Sequence, residues 1–369
     1  MIVGIDLGTT NSLVGVYQDG QVKLIPNAFG EYLTPSVVAL DDNDEIIVGK
    51  IAKERLVTHP DKTVSQFKRF MGTKHELTLG NRAYKAEELS SFIIRKLVDD
   101  AETYLGEKVE EVIVSVPAYF NDAQRYATKL AGKFAGVQID RIINEPSAAA
   151  LAKRSMVNQE DQSFIVVDFG GGTLDISVVE LFDNIVEIVS IAGDNRLGGE
   201  DFTAAIAEEF LVSNKLTKDT ISREFYGKIL VQAEKTKLEL NEKEEVKMTV
   251  LDQEQEYTLD LSYQRFYELC QPLLARVKAV LDRALMDARY SYVSSDNFVL
   301  VGGTSKLRLV QDFLSYCINQ VVQVSDDPDR MIARGCALLA GIKERQGEIR
   351  DLLLSDICPF TLGIEIVGD

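Results

Sequence analysis

The sequence predicts two related α/β lobes facing each other across a cleft, because three kinds of signal each occur twice and in the same order. The first is a strand–turn–strand pattern, GIDLGTTNSLVGVY from Gly4 and VVDFGGGTLDISVV from Val166, with Asp6 and Asp168 in equivalent places. The second is an apolar strand that follows an amphipathic helix. The third is a helix of small residues. One Gly-rich turn is common in any α/β protein; three ordered pairs point to a duplication.

Each element has its own reason. Apolar runs on either side of Gly and Thr read as β-hairpins with tight tips. Leu89, Phe92, Ile93 and Leu97 recur at helical spacing before EVIVSVPAYF, and Val277, Leu281 and Leu285 do so before NFVLVGGTSKL. Each strand leads into a helix: Asn121 is a candidate N-cap with Gln124 three residues on, and Gly136 stands past the end. PSAAALA from Pro146 and IARGCALLAG from Ile332 suit close helix crossing. Each lobe is expected as a parallel sheet covered by helices. The first lobe is placed at 1–160 and the second at 161–350, with a helix near 332–345 returning toward the first. The acidic stretch from Glu239 to Glu256 reads as an insertion with a charged, solvated face. Residues 351–369 change character. Leu352, Leu353 and Leu354 stand between charges, which fits a docking segment, with a last edge strand as the alternative. Asp351 and Asp356 flank the triplet, and Arg125 or Lys129 are candidate partners for them.

Composition sets the limits. A chain of 369 residues with 46% hydrophobic content builds a large core without staples and has room for more than one folding unit. A formal charge of -18 repels phosphate backbones, so no nucleic-acid partner is expected. No apolar run approaches the ~20 residues of a membrane span, no basic leader precedes the first strand, and a cytoplasmic location is expected. Cys270, Cys317, Cys336 and Cys358 show no CxxC spacing, and His59 and His75 are the only histidines. That argues against zinc and for cysteines serving as small hydrophobes.

The chemistry points to phosphate. There is no GxxxxGK[ST] loop and no GxGxxG fingerprint. Instead Gly8, Thr9 and Thr10 form one tip and Gly170, Gly171, Gly172 and Thr173 the other. Glycine lets backbone N–H groups close on an anion, and threonine hydroxyls add donors. Asp6 and Asp168 would repel phosphate, so they read as outer anchors of hydrated Mg²⁺, which needs only one or two carboxylates. Glu145, at a strand end, could orient or deprotonate water, Lys68 could balance phosphate charge, and Asp175 is a further carboxylate near the second tip. Gly302 and Gly303 would let a base or ribose approach the backbone.

At these residues the chain resembles the heat-shock protein 70 (DnaK-like) chaperone family. GIDLGTTNS, VPAYFNDAQR, INEPSAAALA, DFGGGTLD, AGDNRLGGEDF, EKTKLEL, VGGTSKL, DPDRMIARGCALLAG and DLLLSDICPFTLGIE are all similar to family signatures and occur in family order. The resemblance implies the actin-like ATPase fold, two lobes each split into two subdomains around a nucleotide cleft. It implies ATP and ADP as ligands, Mg²⁺, and potassium as a second cation held at Asp6, Asp168, Thr173 and Asp175. Thr9, Thr10 and Gly171 to Thr173 resemble phosphate loops; Lys68, Glu145 and Thr173 match positions around the attacking water. Gly198, Gly199, Glu234, Lys237, Asn241, Gly302, Gly303, Lys306 and Asp329 fall in the implied nucleotide pocket. Pro117, Arg125 and Lys129, with Leu352 to Leu354, match the route by which nucleotide state reaches the linker. Implied partners are a J-domain co-chaperone and unfolded polypeptides, bound through a substrate-binding domain that 351–369 would begin. Lys306 stands where the family usually has Arg, Asn241 where Ser is common, and both the stretch after Met71 and the acidic insertion are short. These departures resemble the specialised HscC branch and argue against a DnaK-type exchange factor. A small-molecule kinase or a filament-forming protein of the same superfold are the alternatives.

Overall fold

The computed structural model describes residues 1–156, 162–182, 185–290, 298–322, 324, 327–345 and 352–358. The first hairpin forms where the sequence places it: β1 (Ile2–Asp6) and β2 (Asn11–Gln18) pair antiparallel, and β3 (Gln21–Leu24) extends the meander. A two-residue strand, β4 (Thr34–Pro35), also pairs with β2. A small three-stranded sheet follows, in which β5 (Val37–Leu40) lies between β6 (Ile46–Val48) and, beyond α1 (Lys50–Thr58), β7 (Thr63–Ser65). A 3-10 turn over Phe67–Phe70 leads to the short hairpin of β8 (Glu76–Leu79) and β9 (Arg82–Lys85). Helix α2 (Ala86–Leu105) buries Leu89, Ile93 and Leu97 as the periodicity predicts. Strand β10 (Glu111–Val116) then runs parallel to β1, α3 (Asp122–Phe134) follows, and β11 (Ile142–Asn144) joins β10 in parallel. Asn121 caps α3 with the full reciprocal box: the Gln124 N–H donates to Asn121 Oδ1 at 3.0 Å, and the Asn121 N–H to Gln124 Oε1 at 2.9 Å.

Helix α4 (Glu145–Met156) crosses to the second lobe, which repeats the plan. Strands β12 (Gln162–Phe169), β13 (Leu174–Phe182) and β14 (Ile185–Asp194) form its meander. Helices α5 (Gly199–Ser213) and α6 (Arg223–Glu239), the hairpin β15 (Glu245–Asp252) and β16 (Gln255–Ser262), and α7 (Tyr263–Asp287) come next. Strand β17 (Phe298–Val301) pairs parallel with β12, as β10 does with β1. Helices α8 (Arg308–Ile318) and α9 (Met331–Lys343) follow, and β18 (Leu353–Ser355) adds to β14 in parallel.

One expectation needs correction. The sheets are mixed, not parallel: order β11-β10-β1-β2-β3 in the first lobe and β17-β12-β13-β14-β18 in the second, each with an antiparallel meander. A hairpin is antiparallel by construction, so the repeated unit could not be all-parallel. The acidic insertion has the charged, solvated face expected of it and an apolar face behind: along β15, Glu245 and Lys247 face out while Val246, Met248 and Val250 are buried. Charge on one face of a strand is compatible with core on the other.

Separate apolar cores fill the two lobes, and a third joins them through α4 and α9. A Cβ on Gly335 of α9 would stand 1.9 Å from the Ala148 carbonyl oxygen of α4, and one on Gly4 would stand 2.3 Å from the Ala337 nitrogen. Small residues therefore set how closely α9 lies on α4 and on β1, the crossing that their composition predicts.

Candidate functional site

A cavity of about 360 Å³ lies between the lobes, walled by both hairpin tips. On the first lobe, Asp6 ends β1 and is buried, and Ser115 Oγ donates to Asp6 Oδ1 at 2.9 Å. The tip beyond it is fastened from beneath: the Gly8 N–H donates to Ser12 Oγ at 3.1 Å and Ser36 Oγ to the Gly8 carbonyl at 2.8 Å. That leaves Thr9 and Thr10 lining the cavity. On the second lobe, Asp168 ends β12, the Gly170 N–H donates to the Thr173 carbonyl at 3.0 Å, and Thr304 Oγ1 donates to the Gly170 carbonyl at 2.8 Å. Gly170, Gly171 and Thr173 line the cavity. Gly172 instead turns toward Thr9 and Arg69, and Gly198 packs on the tip's backbone, where a Cβ would lie 2.3 Å from Gly171.

Lys68, on the 3-10 turn, and Glu145, the first residue of α4, meet at 2.7 Å, both buried. Four carboxylates surround this one ammonium: Glu145, Asp6, Asp168 and Asp175. Asp168 stands directly opposite Asp175 in the β12–β13 register, an arrangement of like charges that opposes pairing. Burial, then repulsion from Glu145, raises Asp6 to about 7. Burial, then Glu145, Asp175 and Asp6, lifts Asp168 well above its ordinary value. Burial, then Glu145, raises Asp175 to about 8. Asp168 Oδ2 is buried without a hydrogen-bond partner, while the backbone of Ala118 and Tyr119 approaches the Asp175 carboxylate. This donor set suits a cation. Among the described residues no three acidic, His or Cys side chains converge to wrap a bare ion, whereas a magnesium that keeps its waters needs only one or two carboxylates.

The other end of the cavity is lined by Gly199, Glu234, Lys237, Gly302, Gly303, Lys306 and Asp329. The Lys237 ammonium is fixed by Glu234 at 2.6 Å, the Gly199 carbonyl at 3.0 Å and Thr203 Oγ1 at 2.9 Å. Lys306 pairs with Asp329. Gly302 has φ +82, and a Cβ there would lie 2.5 Å from the Phe169 carbonyl oxygen, so only glycine fits. Asn241 is not in the cavity: its Oδ1 accepts the Arg308 N–H at 2.9 Å and caps the turn into α8.

Away from the cavity, Pro117 follows β10 and Arg125 lies on α3. The Arg125 guanidinium donates to the carbonyls of Phe120 at 2.9 Å and Ala118 at 3.0 Å, and to Asn144 Oδ1 at 2.8 Å. Asn144 Nδ2 donates in turn to Asp356 Oδ2 at 2.8 Å, as Ser147 Oγ does at 2.7 Å. Arg125 thus reaches Asp356 through Asn144, which directly precedes Glu145. Lys129 does not reach it; its ammonium approaches the Asp140 carbonyl at 3.4 Å. Asp351 lies outside the described residues. The leucine triplet meets the edge-strand alternative: within β18, Leu353 pairs with Ile185 and Leu354 with Val186. Strand alternation then leaves Leu354 packed on the inter-lobe core and Leu353 62% exposed.

Several residues of the site escape the sequence. Glu200 lines the cavity beside Thr10, and burial, then Glu234, raises its carboxyl. Its place directly after Gly199 was the available signal. Arg69 and Gln66, beside Lys68, reach the opposite lobe, and Ser115 and Ser12 hold Asp6 and the first tip from below.

Comparison with known proteins agrees with this geometry. A family model described as Hsp70 protein matches residues 2–79 and 75–369. The chain is 40% identical over 385 residues to a protein named chaperone protein DnaK of Thermotoga neapolitana (strain ATCC 49049 / DSM 4359 / NBRC 107923 / NS-E). The match takes in all of this chain and 64% of that relative, so the chain spans somewhat under two thirds of its length. Neither finding favours the kinase or the filament alternative.

Proposed function

Because the chain belongs to the Hsp70 family and has its actin-like ATPase fold, we propose that the cleft binds ATP and hydrolyses it to ADP and phosphate. The observation that carries this reading is the Lys68–Glu145 pair, buried between two hairpin tips that supply hydroxyls and backbone amides. Among the described residues no acceptor takes the N–H groups of Thr9, Thr10 or Gly171, all of which line the cavity, so these three donors are available to phosphate oxygens.

Hydrolysis joins a water oxygen to the terminal phosphorus, breaks the bond from that phosphorus to the ADP oxygen, and releases a proton from the water. Glu145 Oε1 is engaged by Lys68, which leaves Oε2 to accept that proton or orient the water. Lys68 sets positive charge where phosphate charge redistributes. Asp6 and Asp168 would hold Mg²⁺ through its waters; the ion, when bound, neutralises phosphate charge. Asp175 and Thr173, behind the second tip, would hold potassium. Gly199, Glu234, Lys237, Gly302, Gly303, Lys306 and Asp329 would take the nucleoside, with Gly198 and Gly172 shaping the loop.

We place the first lobe at 1–160, the second at 161–350 and a linker from 351, a division supported by α9 returning onto β1 and by β18 adding to β14. Through Asp356, Asn144 and Arg125 the linker would report nucleotide state to a substrate-binding part that takes unfolded polypeptides with a J-domain partner. The short β8–β9 hairpin and Lys306 support the HscC branch and exchange without a DnaK-type factor. The likeness to a chaperone protein DnaK supports work in the bacterial cytoplasm; no described helix is long and apolar enough to cross a membrane. Phosphate release from ATP, measured with Mg²⁺ and with EDTA, tests the reading. Metal-dependent turnover supports it; ATP left intact under both conditions overturns it.

A further inference from the structure

Gln66 directly precedes the 3-10 turn over Phe67–Phe70, and Arg69 lies within it. Both cross the cleft to consecutive acidic residues in the first turn of α5. Gln66 Nε2 donates to Glu200 Oε2 at 2.8 Å, and Arg69 Nη2 to Asp201 Oδ2 at 2.8 Å. Arg69 Nη2 also lies 3.4 Å from the Gly171 carbonyl of the second tip. The receiving groups are themselves placed: Asp201 Oδ2 accepts the Gly198 N–H at 2.7 Å, and Thr10 Oγ1 donates to Glu200 Oε1 at 3.4 Å. Lys68 sits between the two arms and points the other way, into Glu145.

The backbone adds a second observation. Gln66 has φ +58, a conformation that side chains other than Asn, Asp and Gly rarely adopt, and strain of this kind persists only where the surroundings hold it. The bond to Glu200 across the cleft is such a restraint.

We infer that Gln66 and Arg69 form a two-armed clasp on Glu200 and Asp201 that couples closure of the lobes to the placement of Lys68. The turn carrying Lys68 is seated when both arms are engaged and is released when the lobes part. The two arms are positioning residues, since neither touches Glu145 or the cluster of carboxylates. This inference rests on the ATP-hydrolysing reading of the same site.

The test uses the full chain with Gln66→Ala, Arg69→Ala, Arg69→Lys, Asp201→Asn and the Arg69→Ala/Asp201→Asn pair. In single-turnover assays Arg69→Ala should slow hydrolysis roughly tenfold or more, the scale of a small misplacement of a reacting group, while ADP affinity by calorimetry stays close to the parent's. Gln66→Ala should lose part of that rate, Arg69→Lys should recover part of it, and Asp201→Asn should add little to Arg69→Ala. Hydrogen exchange in Arg69→Ala should quicken at 66–70 and 199–203 together. Independent, additive losses, or faster exchange on one side of the cleft only, would overturn the clasp. A parent chain that hydrolyses no ATP would overturn the underlying reading, and the exchange pattern would still decide whether the two segments are joined.

Discussion

Lys68 Nζ lies 2.7 Å from Glu145 Oε1, the two side chains 4% and 6% exposed. A buried pair of this kind is worth most through what happens when one member goes, since the survivor is left charged and unpaired, at about 3–5 kcal/mol. Lys68→Ala should therefore lower the melting temperature and also reduce turnover by about 10²–10³, with ADP binding retained. Glu145→Gln should slow turnover with a smaller loss of stability, because its amide oxygen still accepts from Lys68. Calorimetry and single-turnover hydrolysis on both variants check this; parent-like rates in both would remove the pair from the chemistry.

The buried carboxylates give a pH dependence of definite sign. Asp6 lies at about 7 and Asp175 at about 8 in the folded chain, above the roughly 3.9 of an unfolded aspartate. The folded state therefore holds more protons than the unfolded one between these values, and metal-free stability falls as pH rises through that window. A divalent cation binds the ionised forms, so stabilisation by Mg²⁺ should grow from about pH 6 to about pH 8.5 and release protons into the buffer. Asp168→Asn should stabilise the metal-free chain above neutral pH and abolish the Mg²⁺ increment. Thermal melts across pH, with and without Mg²⁺, test this, and a Mg²⁺ effect that shrinks with rising pH would contradict it.

Lys306 is tied to Asp329 and its side chain is 47% exposed. A lysine cannot offer the flat stacking face of a guanidinium. Spontaneous ADP release should therefore be fast and indifferent to a DnaK-type exchange factor, and Lys306→Arg should slow it. Stopped-flow release of a fluorescent ADP analogue measures both; slow release that the factor accelerates would be the contrary result.

Asp356 takes hydrogen bonds from Asn144 and Ser147, while Arg125 holds Asn144 from the other side. ATP, more than ADP, should protect residues 352–358 from proteolysis. Deleting 351–369 should lower basal hydrolysis, and Arg125→Ala and Asp356→Ala should each reproduce part of that loss. Protease patterns and rates identical in intact and truncated chains would show that the segment does not communicate with the cleft.

What the sequence made legible was local. Gly and Thr at the tips, the box at Asn121 and Gln124, and the helical spacing of Leu89, Ile93 and Leu97 act within a few residues, and each forms as expected. What it hid depends on distant partners. Asn144 and Ser147 stand more than two hundred residues from Asp356. Gln66 and Arg69 look like surface residues until α5 is brought opposite them. Lys129 was a reasonable partner for Asp356 by charge alone, but the neutral Asn144 and Ser147 occupy that carboxylate. Asn241 does not line the cavity, and its Oδ1 takes the Arg308 amide from a distant segment. Leu353 shows the remaining limit: three leucines in a row carry the same hydropathy, and only the strand decides which of them is wet.

The crossing of α4 and α9 has a mechanical corollary. With Gly335 pressed against the Ala148 carbonyl, the two halves of the molecule have no room to slide at this point and can move there mainly by turning. A turning body displaces its parts in proportion to their distance from the axis. Glu145 opens α4 and so belongs to the axle, whereas Arg223 of α6 and Asp61, joined at 2.7 Å between the lobes, ride on the rims. Any such turn would therefore displace the Glu145 carboxylate less than the outer Arg223–Asp61 pair.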